Sequence, residues 1–169
     1  MKRLLCCFLA IISLLCLWGC DEDNAEASAS FYYVRSTYIY GREDGIMAAE
    51  PFDTTGFADD RNVLSAYLDG PKNADLVSPF PKGTKIIDFA CKGETLYITL
   101  SSHVVALSKT KQVLACTCFA RTAIELMGVK AVHFETDNST VARMDPIVID
   151  NDAFLLYDDY ASFTTEETN

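Results

Sequence analysis

Between Lys85 and Leu100 the chain reads KIIDFACKGETLYITL. Leu96, Ile98 and Leu100 alternate with Thr95, Tyr97 and Thr99, and successive side chains of an extended strand point to opposite sides. Such a strand buries one side and leaves the other wetter. Lys85 to Cys91 reads as its partner strand and Lys92-Gly93-Glu94 as a short turn, so this stretch is a hairpin whose apolar face needs a cover.

A cover follows directly. Residues 109–127 read as a helix closed by Gly128. Val113, Thr117, Ala120, Ile124 and Met127 form one stripe, while Leu114, Cys116, Phe119, Ala123 and Leu126 make much of the remaining surface apolar. A helix this apolar is deeply buried or meets a partner, and a small domain has a sheet to cover. An earlier helix starts at Asp59 or Asp60, carries Val63, Leu64, Tyr67 and Leu68 on one face, and stops at Gly70-Pro71. Phe31 to Gly41 reads as a strand, Arg42 to Gly45 as a turn and Ile46 to Phe52 as a returning strand. Lys130 onward adds a strand with Val132 and Phe134 facing one way, and Ile147 to Ile149 a last short one. The order β, helix, hairpin, helix, β implies an α+β fold, a mostly antiparallel mixed sheet with two helices packed on one face.

The N-terminal end sets the compartment. Lys2 and Arg3 precede an apolar run from Leu4 to Leu17, the layout of an export signal. Leu17-Trp18-Gly19-Cys20 resembles the lipobox of bacterial lipoproteins, which implies diacylglycerol on the Cys20 sulfur and cleavage just before it. The competing reading is an uncleaved anchor, and both place the domain outside the membrane. Two acyl chains anchor stably where one is marginal. Asp21 to Ser30 lacks core-forming residues and reads as a solvated tether. The expected organisation is a signal at 1–19, a tether at 20–30, one domain at 31–150 and an acidic tail at 151–169.

Charge excludes some partners. The chain carries a net charge of -10; loss of Lys2 and Arg3 with the signal takes it to -12, and such a surface repels nucleic acid and anionic headgroups. Cys91, Cys116 and Cys118 remain after the signal and the lipidated cysteine are set aside, too few for a disulfide framework. They read as small hydrophobes, with a Cys91 bridge to the helix as the alternative. His103 and His133 have no metal-ligand pattern around them, and neither a metal nor another cofactor is expected. Ser101, Ser102 and His103 are adjacent, but strand neighbours point in alternate directions, which argues against a catalytic pair. Asp150-Asn151-Asp152 and Asp158-Asp159 lack the pattern of a calcium loop and read as solvated surface.

Three segments together resemble a known family. They are LSAYLDGP at 64–71, SPFPKGTKIIDFACKGETLYITLSS at 78–102 and LACTCFARTAIELMGVKAVHFETD at 114–137. Gly70-Pro71 after a leucine-rich helix, Pro81 with Gly83 and Thr84 leading into the hairpin, and Gly128 before the strand ending in Phe134 are similar to the GerMN domain. Where that family commonly carries an aspartate before Leu-Ser, this chain has Thr99.

The resemblance implies a non-enzymatic module, similar to ring-building modules of sporulation membrane complexes, that contacts other proteins in sporulation, germination or envelope assembly. It implies envelope or sporulation-complex proteins as partners and leaves a homo-oligomer open. Its motif residues set turns and core. The competing reading is a surface lipoprotein that binds a wall fragment or small ligand through Tyr32, Tyr33, Tyr38 and Tyr40, since tyrosine offers both a ring and a hydroxyl.

Overall fold

A computed structural model describes residues 28–37, 45–137 and 143–152. Strand β1 (Ser28–Arg35) pairs antiparallel with β2 (Met47–Asp53) and, at Val34 and Arg35, with β3 (Leu76–Val77). Helix α1 (Asp60–Tyr67) lies between β2 and β3 in the chain. Strands β4 (Ile86–Lys92), β5 (Thr95–Leu100), β6 (Ala131–Thr136) and β7 (Ile147–Asp150) form a second sheet in that order. A short 3₁₀ turn (Ser102–Ala106) and helix α2 (Lys109–Met127) connect β5 to β6, which run parallel; every other pairing is antiparallel. The fold is α+β with mixed, mostly antiparallel strands.

The expected single sheet is instead two, sharing one core. Phe31 and Tyr33 of β1, Leu64 and Tyr67 of α1, Phe119 of α2 and Phe134 of β6 are all buried there. Phe119 links the helices to the second sheet, its ring edge-on to those of Tyr67, Phe80 and Phe134 at 5.2, 6.0 and 5.7 Å. Edge-to-face rings at such distances add to the gain from area burial alone.

Local chemistry explains the boundaries. Asp59 caps α1 by accepting from the Asn62 amide at 2.8 Å, which satisfies a donor with no partner inside the helix. Gly128 closes α2 with φ 68, its amide donating to Ile124 at 2.9 Å. The β4–β5 turn needs two residues, Gly93 and Glu94, because Lys92 pairs with Thr95. The first strand starts at Ser28, so the last three residues read as tether join the sheet opposite Pro51 to Asp53. A ladder uses backbone groups, and small polar side chains do not prevent it. The strand also ends at Arg35, and Tyr38 and Tyr40 lie outside the described residues, as do Cys20, the signal, most of the tether and the tail beyond Asp152.

The buried side of α2 differs from the expected stripe. It centres on Cys116, Phe119, Ala120 and Ala123, with Ala115, Thr117, Cys118 and Thr122 beside them, while Val113 is exposed. The helix packs against β1 as well as β6 and β7, so it buries a wider arc than one sheet would demand.

One side of β1 shows how the two halves are joined. On the edge away from β2, beyond the short pairing with β3, no described strand meets Tyr32, whose amide donates to Thr122 Oγ1 at 2.9 Å and whose carbonyl accepts from the Tyr67 hydroxyl at 2.9 Å. Side chains from both helices thus complete the ladder that a strand would otherwise complete.

Candidate functional site

Between α1 and the loop leading into β4 lies an open groove of about 1220 Å³. Asn62, Ser65, Ala66 and Asp69 line it from the helix side, a spacing that places them on one helical face. The opposite wall is the loop from Ser78 to Lys85, and Phe80 contributes from the core. Phe57 stands exposed at one end.

The motif turns build these walls. Gly70 has φ 96, a left-handed conformation that favours glycine, while a Cβ there would only touch Ser78 Cβ at an ordinary 3.5 Å. After Pro71 the chain is fixed from the other side, where the Glu50 carboxylate accepts from the amides of Lys72 and Asn73 at 3.1 and 2.7 Å. Pro81 to Thr84 forms a tight turn in which both the amide and the hydroxyl of Thr84 donate to the Pro81 carbonyl, at 3.1 and 2.7 Å. Lys85 and Ser101 then tie the loop to the end of β5: Lys85 N donates to Ser101 Oγ at 3.0 Å and Ser101 N to Lys85 O at 2.9 Å. Thus Gly83 and Thr84 line the groove directly, while Pro81 sits in the same turn and Gly70-Pro71 follows the helix on the other side. Gly128, by contrast, serves the far end of α2.

The His103 segment differs from the expected strand. Ser102 and His103 belong to a 3₁₀ turn, not a strand, and it is Ser101 whose Oγ meets His103 Nδ1, at 3.2 Å. Ser101 is buried and already accepts from Lys85, and among the described residues no carboxylate orients the ring from its other side. A nucleophile needs both exposure and an oriented base. His133 lies on the sheet face away from α2 but is largely covered, edge-on to Tyr97 at 5.2 Å, with a buried Nδ1 that has no hydrogen-bond partner.

The cysteines are free thiols. Cys91 is exposed, Cys116 and Cys118 are buried, and burial pushes both buried thiols up to about 12. Among the described residues no group of three or more His, Cys, Asp or Glu could hold a metal ion. Nor is any helix there long and apolar enough to cross a membrane. Of the aromatic start, Tyr33 is wholly buried, whereas the Tyr32 hydroxyl donates to Glu125 at 2.6 Å and its ring lies 4.6 Å from the Arg121 guanidinium carbon. Both described tyrosines are therefore engaged within the protein.

These features define a small α+β module with a groove framed by turns. The chain belongs to the Germane family, described as sporulation and spore germination, which matches residues 30–142. Among solved structures it is similar to the first GerMN domain of the sporulation protein GerM from Bacillus subtilis. That likeness has 12% identity and a TM-score of 0.50, covering 66% of this chain and 83% of that one. The tandem GerMN domains of the same protein align at 14% identity and a TM-score of 0.49, covering 76% of this chain and 47% of theirs. At such identity the likeness concerns the fold alone. No curated protein sequence matches.

The groove is what sequence reasoning missed. Its residues are close in the fold but come from three separated segments, 56–58, 62–69 and 78–86. The motif turn at Pro81 to Thr84, of which Gly83 and Thr84 line one wall, was the available signal.

Proposed function

We propose that this chain is a lipid-anchored protein of the extracytoplasmic membrane face whose GerMN domain is a non-enzymatic protein-interaction module in sporulation, germination or envelope assembly. The observation that carries the reading is the placement of the family-motif turns. Gly83 and Thr84 of the Pro81 to Thr84 turn line one wall of an open groove, and Gly70-Pro71 follows the helix that lines the other. Turns that shape a surface suit recognition, whereas fold likeness by itself would not assign a role.

Anchoring rests on the Leu17-Trp18-Gly19-Cys20 sequence after an apolar run. Mass spectrometry of the N-terminal peptide from host membranes tests it. The reading expects a peptide that begins at Cys20 with diacylglycerol attached; an unprocessed peptide beginning at Met1 would contradict it. Crosslinking the full chain in the same membranes tests the contact role, and recovery of envelope or sporulation-complex proteins is the expected result. Recovery of wall material alone would favour ligand binding, and recovery of the chain itself would indicate a homo-oligomer.

A further inference from the structure

The groove has an unusual charge balance for this molecule. Across the chain Asp and Glu outnumber Lys and Arg by 24 to 14, yet among the described residues the groove is lined by Lys82 and Lys85 against a single acid, Asp69. The described lysines elsewhere are mostly engaged: Lys72 and Lys92 lie over the rings of Phe52 and Tyr97, while Lys109 and Lys130 pair with Asp145 and Glu94. Lys82 and Lys85 are exposed and make no side-chain ion pair or ring contact among the described residues. Among the described lysines only Lys111, on the exposed side of α2, shares that condition.

The shape narrows the occupant. At about 1220 Å³ and open to solvent, the groove exceeds the usual small-ligand pocket of about 300 to 1,000 Å³. Phe57, Leu68 and Ile86 offer apolar surface along it, a combination that suits a chain segment with alternating contacts. Unpaired cations attract acids over roughly 8 to 10 Å at ordinary salt, while the acidic remainder of the surface repels them.

We propose that this groove receives an extended acidic segment of a partner protein, its carboxylates meeting Lys82 and Lys85 and its apolar side chains lying among Phe57, Leu68 and Ile86. The inference rests on the protein-contact reading above and names the partner's chemistry.

The test is fluorescence anisotropy on the full-length protein in detergent with a labelled peptide of alternating glutamate and leucine. A lysine-leucine peptide and solubilised peptidoglycan are the comparison probes. The glutamate peptide is expected to bind, to weaken with added salt, and to lose about tenfold in affinity in Lys82→Glu/Lys85→Glu. Lys111→Glu is expected to leave binding unchanged. Should the reversed variant melt early, Lys82→Gln/Lys85→Gln provides the same ordering with a smaller loss. No binding of the glutamate peptide, equal binding of the lysine peptide, or equal loss in Lys111→Glu would overturn the proposal. So would peptidoglycan binding that alone depends on Lys82 and Lys85, which would assign the groove to a wall polymer. If crosslinking still recovers envelope proteins while the peptide fails, the contact role stands and the acidic occupant is wrong.

Discussion

The rings of Tyr33 and Tyr67 stack at 4.7 Å and 4° from parallel, and the Tyr33 hydroxyl donates to the carbonyl of Tyr67 itself at 2.9 Å. The Tyr67 hydroxyl in turn donates to the carbonyl of Tyr32, so β1 and α1 are clasped in both directions. Because α1 forms one wall of the groove, this clasp links core packing to the shape of the proposed contact surface.

Removing either hydroxyl leaves a carbonyl without that donor. Tyr67→Phe is expected to destabilise the protein by about 1 to 3 kcal/mol, and Tyr33→Phe by a similar amount. The double variant should fall short of the sum, since both bonds hold the same pair of elements. Urea denaturation of the three variants measures this; strictly additive losses would show that the two bonds act independently.

Phe119 meets the rings of Tyr67, Phe80 and Phe134 edge-on. Its replacement by alanine opens a cavity at the meeting point of α1, α2 and β6, with an expected loss of about 3 to 5 kcal/mol. Val113→Ala on the exposed side of the same helix should change stability by less than about 0.5 kcal/mol. Chemical denaturation of both variants checks the assignment of the buried arc, and comparable losses would contradict it.

The C-terminal end of α2 offers a backbone test. A Cβ at Gly128 would meet nothing within 4 Å, so the cost of Gly128→Ala is conformational and expected at about 1 to 2 kcal/mol. Thermal melting measures it; an unchanged melting temperature would mean that the left-handed closure is not required.

Stability should fall on the alkaline side. Burial raises Cys116 and Cys118 from 9.0 to about 12, and it also raises Tyr33 and Tyr67 above their ordinary 10.0. Each group is neutral when protonated, so its folded value lies above its unfolded one. The stabilising difference is complete below the unfolded values and disappears as pH climbs through the folded ones. Urea midpoints are therefore expected to decline from near pH 9.0 toward about 12. Cys116→Ala/Cys118→Ala should move the onset toward the tyrosine range. An identical onset in that variant would place the dependence elsewhere. Thiol labelling at neutral pH provides the companion result, with fast modification of Cys91 and protection of the other two until unfolding.

Much of this fold was legible because local signals agreed. Val63, Leu64 and Tyr67 between Asp59 and Gly70 mark α1, while Gly128 marks the end of α2. Leu96, Ile98 and Leu100 fix the buried side of β5. The division into two sheets was not legible, because on the edge of β1 away from β2 the strand meets β3 over only two residues, and the Tyr32 amide and carbonyl go to side chains of Thr122 and Tyr67. Such tertiary contacts leave no periodic trace. The strand assumed through Ser102 and His103 is likewise a 3₁₀ turn, and the polar contact forms between Ser101 and His103 and not between the neighbours Ser102 and His103. The groove was only half legible: its turn residues stood out, but the convergence of their segments is a property of the fold.

The most direct test of an anchored contact module is crosslinked affinity capture from host membranes, comparing the full chain with Lys82→Glu/Lys85→Glu. The account predicts that the original recovers a reproducible set of envelope proteins and that the variant, equally abundant and equally lipidated at Cys20, loses at least one of them. Recovery of wall material without any reproducible protein, from both forms, would contradict it.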